Sequence, residues 1–247
     1  MVSTDPALST PDDAPSSTPM RLFRWVALGG VAGGWAGFFV GGGLGRIAMF
    51  VLRLTSDDRL HGHETDDGFT IGKISSSTFF LMGICAIFGA IAGVVYVAGR
   101  WAVPARYRVL VAGVIGSLLG GARILSSTKF DFRAIEPHVL SVVMFIVIPG
   151  VAMASIAWLV ERWSTWFLIN MRRTGVVSAP FVFPLFPVAF LVAALGLFVV
   201  PLLAAAARSS RVRSALTRFG PRLGQAALVV VASLSAWVLT NDVTAIL

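Results

Sequence analysis

Charged residues are scarce in this sequence: Asp, Glu, Lys and Arg make up 13% of its 247 residues, about half the share found in a typical soluble domain. A surface with so few charges does not face water on all sides. The 56% of hydrophobic residues indicates a lipid bilayer as the other solvent. Only one cysteine is present, Cys85, which excludes an intramolecular disulfide and any metal site built on several cysteines.

Sequence motifs for catalysis are missing as well. No nucleophile–base pattern, His-Glu-x-x-His motif, P-loop or dinucleotide fingerprint occurs. We therefore expect neither enzymatic activity nor a cofactor. Carboxylates are also absent near the centres of the first five predicted spans, so the usual machinery of a proton- or sodium-coupled carrier is lacking.

Positive charge exceeds negative charge, with 20 Lys and Arg against 12 Asp and Glu. Such a surplus can indicate nucleic-acid binding, but here the arginines stand at the ends of apolar segments, where positive charge orients helices in a membrane. We therefore exclude nucleic acid. The expected partner is the lipid bilayer, whose headgroups include anionic ones.

Six apolar segments are each able to cross ~30 Å of hydrocarbon as a helix. We predict an all-α polytopic transmembrane helix bundle over residues 21–247. A disordered tail rich in Pro, Ser and Thr precedes it at residues 1–20. The predicted spans are residues 22–52, 74–99, 109–126, 139–160, 181–207 and 223–245.

Glycines recur at every fourth residue of the first span, and shorter pairs with the same spacing occur in the second and third spans. In lipid, such small residues let a second helix approach backbone to backbone. A step of four residues drifts by about 40° around a helix, so a partner that follows the glycines crosses right-handedly. The sequence therefore predicts glycine-zipper packing through Gly29, Gly33, Gly37, Gly41, Gly45, Gly89, Gly93, Gly116 and Gly120.

The distribution of arginines predicts a bacterial plasma-membrane protein whose N-terminus is cytoplasmic. Arg21 and Arg24 precede the first span, and the connections at residues 100–108 and 162–173 are then cytoplasmic too. Six spans, however, place the arginines of residues 208–222 outside, against the positive-inside rule. Two explanations stay open: the proline-rich segment 181–207 does not fully span, or these arginines lie on an interfacial helix that pairs with lipid phosphate.

Two kinds of candidate site emerge. Arg46 and Arg123 lie inside or near the ends of predicted spans, where they either contact an anion or lipid phosphate or reach to the nearer interface. The loop between the first two spans combines imidazoles and carboxylates, which can bind a divalent cation weakly or simply be solvated. Its candidate ligands are His61, His63, Glu64, Asp66 and Asp67.

A faint internal repeat relates the first two spans to the next two. Gly45-Arg46-Ile47 near the end of the first span matches Gly121-Ala122-Arg123-Ile124 in the third, and Arg100-Trp101 matches Arg162-Trp163. A parallel duplication would produce this pattern. So few residues also match by chance, and both explanations stay open.

Four stretches carry a resemblance to other proteins: Arg46-Ile47, Asp66-Asp67-Gly68-Phe69-Thr70-Ile71-Gly72, Arg100-Trp101 and the closing Asp242-Val243-Thr244-Ala245-Ile246-Leu247. Over most of residues 21–247 the chain resembles uncharacterised small multi-pass membrane proteins of high-GC Gram-positive (actinobacterial-type) bacteria. The arginine bias, 18 of the 20 basic residues, is typical of such genomes. That group has no assigned activity, so the resemblance implies only location and topology class.

Three functions remain as hypotheses. The first is a structural or accessory membrane protein that packs through its glycine faces, as a homo-oligomer or in a larger membrane complex. The alternative is a transporter or channel for an anionic or lipid substrate that uses Arg46 and Arg123. The third is an intramembrane enzyme or a metal-dependent sensor that uses the His61–Asp67 loop.

Overall fold

The computed structural model describes residues 18–55, 76–125, 138–173 and 210–246, and all regular secondary structure in these ranges is helical. The tail at residues 1–17 and the predicted span 181–207 lie outside the described residues. Two 3₁₀ turns, Arg100–Ala102 and Ala105–Tyr107, join the third α-helix to the fourth. In chain order the longer elements are α1 (Thr18–Trp35), a π-helix (Ala36–Gly43), α2 (Leu44–Thr55), α3 (Ser76–Gly99), α4 (Arg108–Ile124), α5 (His138–Arg173) and α6 (Ser210–Ile246).

Five helical segments are long and apolar enough to cross a membrane. They correspond to the first four and the last of the predicted spans, so the all-helical class is confirmed for the described residues, with five helices that have the length and hydropathy of membrane spans. Four α-helices begin or end three or more residues beyond the predicted bounds: α1 begins at Thr18, α2 ends at Thr55, α5 continues to Arg173 and α6 begins at Ser210. The five segments are Arg24–Leu52, Thr78–Ala102, Ala105–Ile124, His138–Ser164 and Arg222–Ile246.

The first span and α3 form an antiparallel hairpin whose backbones touch through glycine. A Cβ added to Gly29 would lie 2.6 Å from the Gly93 carbonyl oxygen, and one added to Gly33 would overlap the Gly89 carbonyl. Because only hydrogen fits in these gaps, glycine sets the distance between the two helices. Gly45, by contrast, has no atom of the described residues within 4 Å of the added Cβ.

A second antiparallel hairpin, made of α4 and α5, is packed around a proline. Pro149 lies inside α5, and its ring occupies the space that a side chain at Gly120 would need. A Cβ at Gly116 would lie 2.8 Å from the Pro149 carbonyl oxygen and 2.5 Å from the Met153 Cβ. The two hairpins run in the same direction, as a parallel duplication requires, while the duplication itself stays a prediction.

An eight-residue π-helix, Ala36–Gly43, interrupts the first span, a feature that the sequence analysis did not foresee. Four of its eight residues are glycines, which lack side chains to resist widening of the turn. Where the widened turn begins, the ring of Trp35 stacks on that of Phe39 at 4.7 Å between centroids. The π-helix packs against α3 and α5, so one of its faces is buried in the bundle while Phe39 is exposed.

The helix α6 runs in the same direction as α4. Near its start, the Gln225 amide donates a hydrogen bond of 3.1 Å to the Ala102 carbonyl, in the turn that follows α3. Near its end, Leu239 is buried with Leu125 and Val142 at the opposite end of the bundle. Arg222 therefore lies at the same end of the bundle as residues 100–108, which are expected to be cytoplasmic. For this arginine, the conflict between six spans and the positive-inside rule no longer arises.

A cysteine pair tests the direction of α6. We expect Ala102→Cys with Gly224→Cys, in a Cys85→Ala background, to form a disulfide on mild oxidation. A Cβ at position 224 would lie 2.9 Å from the Ala102 Cβ, near the ~3.5–4.5 Å that a disulfide needs. Mobility on a non-reducing gel measures the cross-link. The control pair, Ala102→Cys with Thr240→Cys, should stay uncrosslinked, and the reverse result would mean that α6 runs the other way.

Candidate functional site

A group of polar side chains from separate helices meets at the end of the bundle where α1 begins and α3 terminates. We call Trp25, Tyr96, Arg100, Arg108 and Glu161 the Glu161 cluster. It joins four helical elements: α1, α3 with its following turn, α4 and α5. Beneath it, Leu28, Ala32 and Ala36 of the first span are buried against Ile156 and Val160 of α5.

Glu161 is the centre of the cluster. Its carboxylate accepts a hydrogen bond of 2.9 Å from the Tyr96 hydroxyl and two, of 3.2 and 3.3 Å, from Arg108 Nη1. Arg100 Nη2 lies 3.6 Å from the same carboxylate. The side chains of Arg108 and Glu161 are 17% and 28% exposed, so their pairing is only partly screened by solvent.

Arg108 also fixes the connection between α3 and α4. Its Nε donates to the carbonyls of Arg100 and Val103, each at 3.1 Å. These carbonyls belong to the tight turn after α3, where the helical hydrogen-bond pattern stops and leaves backbone acceptors without helical partners. One guanidinium therefore closes the turn on one side and holds Glu161 of α5 on the other.

Arg100 ties the cluster to α1. Its guanidinium carbon lies 4.4 Å from the centroid of the Trp25 ring, a cation–π contact. Its Nη1 is buried and has no hydrogen-bond partner among the described residues. With two guanidinium groups facing one carboxylate, the cluster keeps a surplus of positive charge, and it can hold helices together or attract an anion.

The predicted anion contacts, Arg46 and Arg123, lie toward the opposite end of the bundle. Arg46 is half-buried at the start of α2, directly after the π-helix, and its Nη1 lies 4.0 Å from the Met49 sulfur. Arg123 is exposed in the last turn of α4. Because their surroundings differ and they belong to different hairpins, an anion site shared by the two stays a prediction.

The predicted metal ligands lie outside the described residues, since the whole loop 56–75 does. Within the described ranges, no group of three or more His, Cys, Asp or Glu lies close enough to hold a metal ion. Weak binding of a divalent cation by the His61–Asp67 loop therefore stays a prediction.

Sequence reasoning missed Glu161 because it considered only the residues that follow, Arg162-Trp163, as a helix end. A signal was present: Glu161 is the one acidic residue between Glu136 and Asp242, and it is set among arginines. Tyr96, one of two tyrosines in the chain, was a second signal. Neither signal indicated which residues contact Glu161, because Tyr96 and Arg108 lie 65 and 53 residues away from it in the chain.

Comparison with known proteins adds no relative: no family model, no curated protein and no solved structure matches this chain. The fold and the Glu161 cluster are therefore the observations that bear on function. The resemblance to membrane proteins of high-GC Gram-positive bacteria stays a prediction.

Proposed function

We propose that this chain is a multi-pass protein of the bacterial plasma membrane that serves as a structural or accessory component by helix packing. The observation that carries the proposal is that glycines and polar side chains of the described residues form contacts between helices. Gly29 and Gly33 seat the first span on α3, and the Glu161 carboxylate joins Tyr96 and Arg108. Small residues and polar groups in the described parts are thus engaged in holding helices together.

The arginines of the described residues support a cytoplasmic N-terminus. Six of them, with described side chains, lie at the end where α1 begins, and Glu161 is the acidic residue among them. The positive-inside rule assigns such an end to the cytoplasm. The six are Arg24, Arg100, Arg106, Arg108, Arg162 and Arg222.

The proposed assembly surface is the part of the glycine series against which α3 does not pack closely. A Cβ at Gly41 would meet only the Cys85 Cβ at 3.8 Å, and one at Gly45 has no described atom within 4 Å. Exposed apolar side chains flank these glycines, among them Phe39 and Ile47. Glycine-zipper packing with a second helix, from another copy or another protein, would use this face.

Association should therefore depend on Gly41 and Gly45. We expect Gly41→Leu with Gly45→Leu to lower the yield of a co-purifying partner or oligomer by about tenfold, as a loss of 1.4 kcal/mol would. Gentle extraction from native membranes followed by native mass spectrometry measures that yield. The thermal midpoint of the variant shows whether the chain itself still folds.

The matched control is Gly99→Leu, because a Cβ at Gly99 also has no described atom within 4 Å but lies at the other end of the first hairpin. This control should leave the yield unchanged. An unchanged yield in the Gly41/Gly45 variant, or a wild-type particle that contains one copy of this chain and no partner, contradicts the proposal.

A second candidate, transport of an anionic or lipid substrate, is favoured by a separate observation. The π-helix brings irregular backbone into the first span, and half-buried Arg46 follows it by three residues. Irregular helices and intramembrane charges both mark functional sites in membrane proteins. Loss of bound lipid from the variant Arg46→Gln/Arg123→Gln would favour this candidate.

A further inference from the structure

We propose that the end of the bundle around the α3–α4 connection binds the headgroup phosphate of anionic phospholipids. The surface consists of the exposed residues Arg106, Arg162 and Arg222, which we call the arginine rim. This inference goes beyond the structural role proposed above, since that role requires no particular lipid.

The arginine rim has no acidic side chain to neutralise it among the described residues. Glu161 is the acidic residue described at this end of the bundle. Its carboxylate already accepts hydrogen bonds from Arg108 and Tyr96 and is paired with Arg100. The positive charge of the rim is therefore available to an outside anion. Guanidinium groups suit phosphate because their planar donors bind two of its oxygens at once.

Contacts between helices bring Arg106 and Arg222 to the same connection. The Gln225 amide binds the Ala102 carbonyl, and Arg222 lies three residues earlier, on the same face of α6. Arg106 belongs to the turn Ala105–Tyr107 that follows. Both arginines therefore lie beside the short segment that links α3 to α4.

Exposed aromatic residues place this surface at headgroup depth. Trp101 and Tyr107 are 47% and 43% exposed, although both are large apolar rings with a polar tip. Such residues concentrate at the boundary between hydrocarbon and headgroups. The Arg106 guanidinium lies 4.5 Å from the centroid of the Tyr107 ring, so this charge is held at the same level. The anion present in quantity at that depth is lipid phosphate, which favours a phospholipid over a free solute.

Native mass spectrometry of the full-length protein in detergent tests the proposal. The probes are dioleoyl phosphatidylglycerol and dioleoyl phosphatidylcholine, which differ in headgroup charge but not in acyl chains. We expect the wild-type protein to bind phosphatidylglycerol more tightly than phosphatidylcholine. The variant Arg106→Gln/Arg162→Gln/Arg222→Gln should lose at least about tenfold in phosphatidylglycerol affinity, since each surface arginine contributes measurably to anionic-lipid binding.

The control is Asn241→Asp, which removes one net positive charge at an exposed position near the opposite end of the bundle and should keep its affinity for phosphatidylglycerol within about twofold. Equal affinity of the wild-type protein for both lipids overturns the proposal. This comparison does not depend on the folding of any variant. Equal losses per removed charge in the two variants also overturn it, because net charge alone would then explain binding. Displacement of phosphatidylglycerol by millimolar inorganic phosphate would assign the site to a free anion instead.

Discussion

Gly33→Ala should be among the most destabilising single-methyl changes in the first hairpin. The added Cβ would overlap the Gly89 carbonyl and lie 3.1 Å from the Ala90 Cα. These are backbone atoms, so no side-chain rotation relieves the overlap, and α1 has to move away from α3. We expect the free energy of unfolding to fall by about 3 kcal/mol, the upper part of the usual range for overpacking. The thermal midpoint should drop by roughly 6–12 °C.

Tryptophan fluorescence during heating in detergent measures this change, since seven tryptophans report on the fold. The matched control is Gly45→Ala, where the Cβ enters open space and higher helix propensity raises stability by up to about 1 kcal/mol. A double variant, Gly33→Ala with Gly89→Ala, should cost less than the sum of the single changes, because one separation of the helices relieves both overlaps. Equal midpoints for Gly33→Ala and Gly45→Ala would contradict the packing described for α1 and α3.

The glycine spacing illustrates how much of the fold is readable in the sequence. A repeat of four is a local property, so it predicts a close helix–helix contact before any partner is known. The partner is a long-range property. In the structure, α3 occupies the Gly29–Gly37 part of the series and leaves Gly45 open. Sequence spacing alone does not distinguish the glycines that build the fold from those that remain at the surface.

The π-helix and the Glu161 cluster were beyond prediction for a similar reason. Hydropathy averaged over a span does not distinguish α from π geometry, because an average does not depend on which residues share a face. For Glu161, the sequence shows a lone acid at a helix end, while the fold brings together Tyr96 and Arg108 from separate helices. The membrane class was predictable because it depends on composition, which needs no knowledge of contacts.

Glu161→Gln should be the most damaging polar substitution in the described part of the chain. It keeps the shape of the side chain and removes its charge, so Arg100 and Arg108 then face each other without a counter-charge. Hydrogen bonds to charged groups contribute about 1.5–3 kcal/mol, and Glu161 binds Arg108 through both of its oxygens. We expect a loss of about 3 kcal/mol in the free energy of unfolding and a midpoint lower by roughly 6–12 °C.

Two further variants show whether the carboxylate charge is responsible. Tyr96→Phe removes one hydrogen bond to the carboxylate and leaves the charges in place, so it should cost less, about 1.5 kcal/mol. Arg108→Gln in the Glu161→Gln background should cost less than Arg108→Gln alone, because the arginine has already lost its partner, with a coupling of about 1–3 kcal/mol. High salt should weaken the wild-type protein more than Glu161→Gln, since the pair is partly exposed. Additive losses from Glu161→Gln and Arg108→Gln would mean that the two residues act separately, and that the cluster does not hold α4 against α5.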